Sequence, residues 1–226
     1  MTAQEKDSTA ILNSPTGKTD DGINKTDNGT YKIADGTNVY TTSHMIGVGS
    51  TYLLDTYLSQ EHFDGAGMSF LYTIERQTQG KHWSTVMEHE SNLSFANDRS
   101  GDQEMLEGAY NFYYGKFRSW NLLSNRLRVQ AGGFGGATLG FIYDTSNSNN
   151  PAQARCHVNA MPAGIVSYSF HLWRIPCKAR YELAVPLVSV RFSPNYGQSY
   201  YEIFSKGDYD HNIVVSTLLS APDWRQ

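Results

Sequence analysis

The sequence predicts an all-β fold: an antiparallel up-and-down transmembrane β-barrel, with about eight strands visible and about ten in the complete protein. Three observations predict it. The first is the run Cys177–Phe192, CKARYELAVPLVSVRF, in which Cys177, Ala179, Tyr181, Leu183, Val185 and Leu187 alternate with Lys178, Arg180 and Glu182. Side chains of a strand alternate between faces, so this ribbon has one apolar face and one that is charged in its first half. The ribbon exceeds the usual five or six residues (roughly) of a soluble strand, and it suits a tilted membrane-spanning one. Pro186 marks a bulge, after which the apolar phase passes to Val188, Val190 and Phe192. The second observation is that the same design recurs along the chain, and the third is that the connections alternate between long and short.

Composition is compatible with this fold. Hydrophobic residues make up 39% of the 226 and mean hydropathy is −0.48. No run approaches the ~18 apolar residues of a membrane-crossing helix, whereas a barrel needs only alternate residues apolar. The 15 Tyr, 10 Phe and 4 Trp suit interfacial girdles. A soluble β-sandwich binding module is the rival reading of the same composition. A net charge of −4 without a basic cluster argues against nucleic acid as a partner. Cys156 and Cys177 fall at opposite ends of one strand pair, so two free thiols are expected. There is no charged and apolar leader pattern, and Met-Thr-Ala-Gln resembles the small-residue end of a cleavage site in an exported chain.

Residues 1–37 read as a polar N-terminal arm, extended or partly disordered, and residues 38–226 as the barrel. The first ribbon, Tyr40–Leu54, sets Ile46, Val48, Tyr52 and Leu54 against Gly47, Gly49 and Thr51. The second, Gly67–Gln77, sets Met68, Phe70, Tyr72 and Ile74 outward and Ser69, Thr73, Glu75 and Gln77 inward. The third, His82–Ala96, puts Trp83, Met87, Leu93 and Phe95 opposite Glu88 and Glu90. The fourth, Gln103–Gly115, turns Leu106, Tyr110, Phe112 and Tyr114 outward, with Met105 out of phase. The fifth, Arg126–Tyr143, contains GGFGG, whose glycines mark bends of a barrel wall; no helix signal follows to make a phosphate cradle. The sixth, Val158–Leu172, leads by a short turn into the seventh, Cys177–Phe192. A long aromatic loop, Ser193–Asp210, precedes the eighth, His211–Leu219.

The connections around positions 60, 99, 149 and 200 are long and polar, while those around 79, 174 and 222 are short. That asymmetry is the one between outer loops and periplasmic turns, and the loop around 120 departs from it slightly. With the arm periplasmic, SAPDW lies at the periplasmic side, Trp224 sits at the inner interface, and Arg225 and Gln226 begin a ninth ribbon. Such barrels close with an even strand number, so the last hairpin is expected to be missing.

The run PLVSVRFSPNYGQSYYEIF, with NNPAQA before it and SAPDWRQ after it, resembles a family of uncharacterised outer-membrane β-barrel proteins of Gram-negative gut bacteria. The resemblance covers roughly residues 38–226 and is most specific from Asn149 to Gln226. It implies a single-domain barrel in the outer membrane of a Gram-negative bacterium, with further strands beyond the RQ pair. Outer-membrane lipid and lipopolysaccharide are the implied surroundings, with other outer-membrane proteins in a complex as partners. It implies no activity.

Candidate chemistry is sparse. His89 and Ser91 share the apolar face of the third ribbon, where ionisable groups are costly and so are functional candidates. Their His-x-Ser-Asn arrangement resembles that of outer-membrane lipid A deacylases, with Ser91 as nucleophile, His89 as base and Glu104 as the group orienting it. The bland alternative is that the ribbon nears its outer end there, or that a bulge reverses its phase and leaves both in water. Glu75, Glu88, Glu90, Glu107, Lys178, Arg180 and Glu182 are expected to line the lumen, where they neutralise one another in a filled interior. His44, His62, His82, His157, His171 and His211 show no metal-ligand spacing, and no metal or other cofactor is expected. The function expected is a non-enzymatic, structural or accessory component of a larger membrane assembly.

Overall fold

The computed structural model describes residues 22–25, 31–34, 38–55, 57–146, 151–194, 198–207 and 212–217. They form one antiparallel sheet of eleven strands and a single short helix. Two four-residue strands, β1 (Gly22–Lys25) and β2 (Tyr31–Ala34), come from the segment read as an arm. The long ribbons follow in the expected sequence: β3 (Asn38–Leu53), β4 (Phe63–Thr78), β5 (Trp83–Asn97), β6 (Glu104–Leu122), β7 (Leu127–Asp144) and β8 (Ala152–Leu172). Strands β9 (Ile175–Ala184) and β10 (Val188–Phe192) pair in turn along β8, and β11 (Ile213–Thr217) pairs with β10.

The break between β9 and β10 is the bulge that Pro186 announces. Ala184 pairs with Ala163 and Val188 with Ala160, so four steps along one strand answer three along the other. One extra residue reverses which parity faces outward. The amides of Val185 and Leu187 still bond to the carbonyls of Pro162 and Ala160, so the ladder runs past the proline.

Several boundaries differ from expectation. Strand β4 begins at Phe63 and β8 at Ala152, each earlier than the ribbons read from Gly67 and Val158, and β6 continues to Leu122, so the connection to β7 is only 123–126. All connections at that end of the sheet (79–82, 123–126, 173–174) are therefore short, and those at the other end (54–62, 98–103, 145–151, 193–212) are longer. The aromatic loop after β10 also holds a helix, α1 (Tyr200–Lys206). Ser199 accepts a hydrogen bond from the Glu202 amide while the Glu202 carboxylate accepts one from the Ser199 amide, and Gly207 ends the helix in the left-handed region. Residues 195–197, 208–211 and the terminal SAPDWRQ with its start of a ninth ribbon lie outside the described residues, as do residues 1–21 of the arm.

The sheet is curled but not closed. Arg180 on β9 meets Glu88 on β5 at 3.0 Å, although four strand spacings separate them. A flat sheet would put about 19 Å between those strands, more than the two side chains can span. Among the described residues no strand pairs with the edge of β3 from Ser43 to Leu53, so the expected barrel closure is absent there. The helix is too short to cross a membrane, which says nothing of strands.

Two apolar clusters sit on the concave side. Leu53, Tyr57, Leu58, Phe63, Ala96, Met105 and Ile142 pack at the long-loop end, with Tyr200 against them. Met105, out of phase in the sequence, thereby becomes a core residue. Val86, Phe117, Phe134, Ala163 and Ile165 pack nearer the short turns. Cys156 of β8 faces Leu139 of β7, and Cys177 of β9 faces Phe170 near the other end of β8, so the two lie well apart and both are free.

Candidate functional site

The polarity of this sheet is inside out. On the convex face Ile46 is 81% and Val48 84% exposed, and Met68, Phe70, Leu93, Phe95, Leu139, Phe141, Tyr181 and Leu183 are exposed as well. On the concave face Glu75 and Glu88 are only 8% and 7% exposed, and Thr73, Ser84, Asn111, Gln130, Thr138 and Ser167 are buried. Soluble domains sort these types the other way, and a contiguous apolar surface on this scale marks contact with something apolar.

The inward carboxylates Glu75, Glu88, Glu107 and Glu182 are held in ion pairs. Arg128 meets Glu75 at 2.6 Å and donates to the Ser119 hydroxyl at 3.0 Å. Gln130 donates from its amide to Glu75 and to Ser84, each at 3.0 Å. Arg180 lies between Glu88 and Glu182, and Arg155 pairs with Glu107, which also accepts from Ser94 at 3.0 Å. Glu90 accepts from the Asn111 amide, whose oxygen accepts from Thr138 at 2.6 Å. A carboxylate taken from water is costly unless paired and bonded in this way.

Of the residues expected along the inner face, Glu75, Glu88, Glu90, Glu107, Arg180 and Glu182 thus stand on the concave side within this network. Lys178 shares their strand parity but is exposed beside the β8–β9 turn. The sequence reading missed Arg128, Gln130 and Arg155. Arg128 and Gln130 alternate with Leu127 and Val129, so the period that placed Glu75 also places them.

His89, Ser91 and Glu104 do not form a triad. The β4–β5 and β5–β6 registers run without a slip, so His89 and Ser91 do face outward at mid-strand, and neither a bulge nor a strand end puts them there. The His89 imidazole Nδ1 is 2.6 Å from the Tyr110 hydroxyl, and its ring lies beside Tyr72 and Phe112. No hydrogen bond joins His89 to Ser91. Glu104 pairs with Asn97 and His89 with Phe112, eight residues further along β6. That separates Glu104 from His89 by about 27 Å. His44 stacks on Tyr72 at 4.5 Å, completing a row of rings across β3, β4, β5 and β6.

At the long-loop end the Tyr57 hydroxyl donates to the Gln198 carbonyl at 2.8 Å and the Ala154 amide donates to the Tyr200 hydroxyl at 2.6 Å. These bonds tie the β3–β4 and β10–β11 connections over the inner cluster. Burial there raises the Asp55 carboxyl above its usual value, against the Tyr57 and Leu58 amides that lower it. Among the described residues no group of His, Cys, Asp and Glu could hold a metal ion.

What fold and site define is a curled antiparallel sheet protein with an apolar convex face and a filled, ion-paired concave one. The chain belongs to the family described as Protein of unknown function (DUF3316), which matches residues 25–226. No curated protein and no solved structure matches it. The resemblance read from the NNPAQA-to-SAPDWRQ region is met at the level of an uncharacterised family.

Proposed function

We propose that this protein is an outer-membrane β-barrel of a Gram-negative bacterium, serving as a structural or accessory component of a membrane assembly. The inside-out polarity carries the reading. Strands of 15 to 21 residues from β3 to β8 bear apolar side chains toward the surroundings and charged pairs inward. A lipid-embedded barrel requires that division, and a soluble β-sandwich requires its reverse. Short turns at one end and longer connections at the other add support, with the short turns periplasmic. The strand edge left open along β3 must be paired before the sheet sits in lipid, because unpaired backbone groups are costly there. In a closed barrel a partner strand covers that edge. Outer-membrane lipid and lipopolysaccharide are then its surroundings and other outer-membrane proteins its partners.

A non-enzymatic role is favoured because the inner carboxylates Glu75, Glu88, Glu107 and Glu182 are committed to arginines and Glu90 to Asn111, and because Glu104 stands far from His89. The lipid A deacylase reading rests on His89 and Ser91 facing outward at mid-strand, and it lacks a bond between base and nucleophile. Fractionation tests the reading. The protein should stay with membranes through alkaline carbonate washing, need detergent for extraction and migrate faster on gels before heating than after. Recovery as a detergent-free soluble protein would overturn it.

A further inference from the structure

On the convex face of β4, β5 and β6 the charges are segregated by end. The outward carboxylates, Asp64 and Glu104, lie at the long-loop end. At the short-turn end Arg76 and Lys116 stand in one row across the sheet, with Thr85 between them. Arg118 is opposite Trp83, and Lys81 is in the turn joining β4 to β5. All four cations are exposed, and no carboxylate pairs with any of them among the described residues.

Aromatic neighbours hold the two arginines. Arg76 lies over the Tyr40 ring at 5.8 Å and Arg118 over the Trp120 ring at 5.5 Å. Arg76, Lys81, Trp83, Thr85 and Lys116 together line a depression of about 470 Å³ on this surface. Directly beyond it, Ile74, Met87 and Tyr114 form the next outward row and begin the apolar face. A groove with unpaired cations, an aromatic wall and an apolar floor extending to one side matches an amphiphile with an anionic head and hydrocarbon tails. A Trp belongs at that level of a membrane, where its ring meets both headgroup and chain.

We propose that this depression binds the phosphate headgroup of an anionic membrane phospholipid, seating the short-turn rim in a leaflet that contains such lipid. The proposal rests on the membrane reading above and adds to it a side and a ligand. The same charges place the contact at the short-turn rim and not at the acidic long-loop rim, where an anionic head would be repelled. The cations act through space on the phosphate, so the contact weakens as salt rises.

Fluorescence quenching by bromine-labelled lipid chains tests it, with Trp83 left as the single indole by Trp120→Phe, Trp173→Phe and Trp224→Phe. The full chain is reconstituted into phosphatidylcholine vesicles containing either brominated phosphatidylcholine or brominated phosphatidylglycerol at equal mole fraction. Quenching by brominated phosphatidylcholine reports lipid contact, and quenching by neither lipid would sink the membrane reading and this inference with it. The expected result is a preference for phosphatidylglycerol of roughly fivefold for each cation engaged. It should fall by that factor for each cation removed in Arg76→Gln with Lys116→Gln, whose heat-modifiable migration stays unchanged. Equal quenching by the two lipids, or a preference undiminished by the double substitution, would overturn the headgroup site while leaving insertion intact. Displacement by inorganic phosphate beyond that caused by chloride of equal ionic strength would also overturn it, by showing a site for a free anion.

Discussion

The Arg180 guanidinium reaches Glu88 at 3.0 Å and also meets Glu182 two residues along its own strand. One cation thus joins β5 to β9 across the concave face and offsets the charge of two neighbouring carboxylates. Side-chain exposures of 23% for Arg180 and 9% for Glu88 put the pair in a weakly screened setting.

Arg180→Met should therefore leave one buried and one half-buried carboxylate without a counterion and destabilise the fold by about 3–5 kcal/mol. Adding Glu88→Gln to that variant should recover part of the loss. Urea unfolding in detergent, followed by gel migration, measures both. Equal stability of wild type and Arg180→Met would show that the pair contributes nothing to holding the curl.

Planar-bilayer recordings should show no large steady conductance. The inner clusters and the Arg128–Glu75, Arg155–Glu107 and Arg180–Glu88 pairs occupy the concave space, and barrels of about eight to ten strands have little interior left once side chains fill it. Stable currents of general-porin size would contradict a filled interior.

Close strand approach at β6–β7 should make one glycine intolerant and a near neighbour permissive. A Cβ at Gly132 would collide with the Lys116 carbonyl oxygen and the Phe117 Cα, whereas one at Gly135 has nothing within 4 Å. Gly132→Ala is expected to reduce folded yield and to destabilise by roughly 1–3 kcal/mol, with Gly135→Ala near neutral. The comparison fails if the two variants lose stability equally.

The outward His89 and Ser91 should prove dispensable. Purified protein is expected to release no acyl chains from lipid A, and Ser91→Ala should alter neither lipid profile nor fold. His89→Ala should cost only about 1 kcal/mol through the lost Tyr110 hydrogen bond. Ester hydrolysis by the wild type, abolished in both variants, would establish the enzyme reading instead.

The ribbons and their faces were legible because a period of two leaves its mark in every strand, as with Met68, Phe70 and Tyr72 against Ser69, Thr73 and Glu75. The Pro186 bulge was legible too, since the apolar phase itself changes parity there. The helix after β10 was missed although Ser199, Glu202 and Gly207 spell its start and stop, because the aromatic residues around them obscured the period. Strand alternation says which face Arg180 and Glu88 share. It does not say that a curl brings them together, since that depends on bends distributed over four strand spacings. Glu104 was misplaced for a related reason: adjacency of ribbons was inferred without the register that puts it beside Asn97.

The sidedness of β7 is the most direct measurement. In a Cys156→Ser and Cys177→Ser background, nitroxide labels at Leu139 and Thr138 report neighbouring residues that are 63% and 5% exposed. In reconstituted membranes the label at 139 should collide freely with oxygen and hardly at all with a water-soluble nickel chelate, as a lipid-facing side chain does. The label at 138 should be shielded from both. A label at 139 as accessible to the nickel chelate as one at the exposed turn residue Ser100 would show that the apolar face meets water, and would contradict a membrane-embedded sheet.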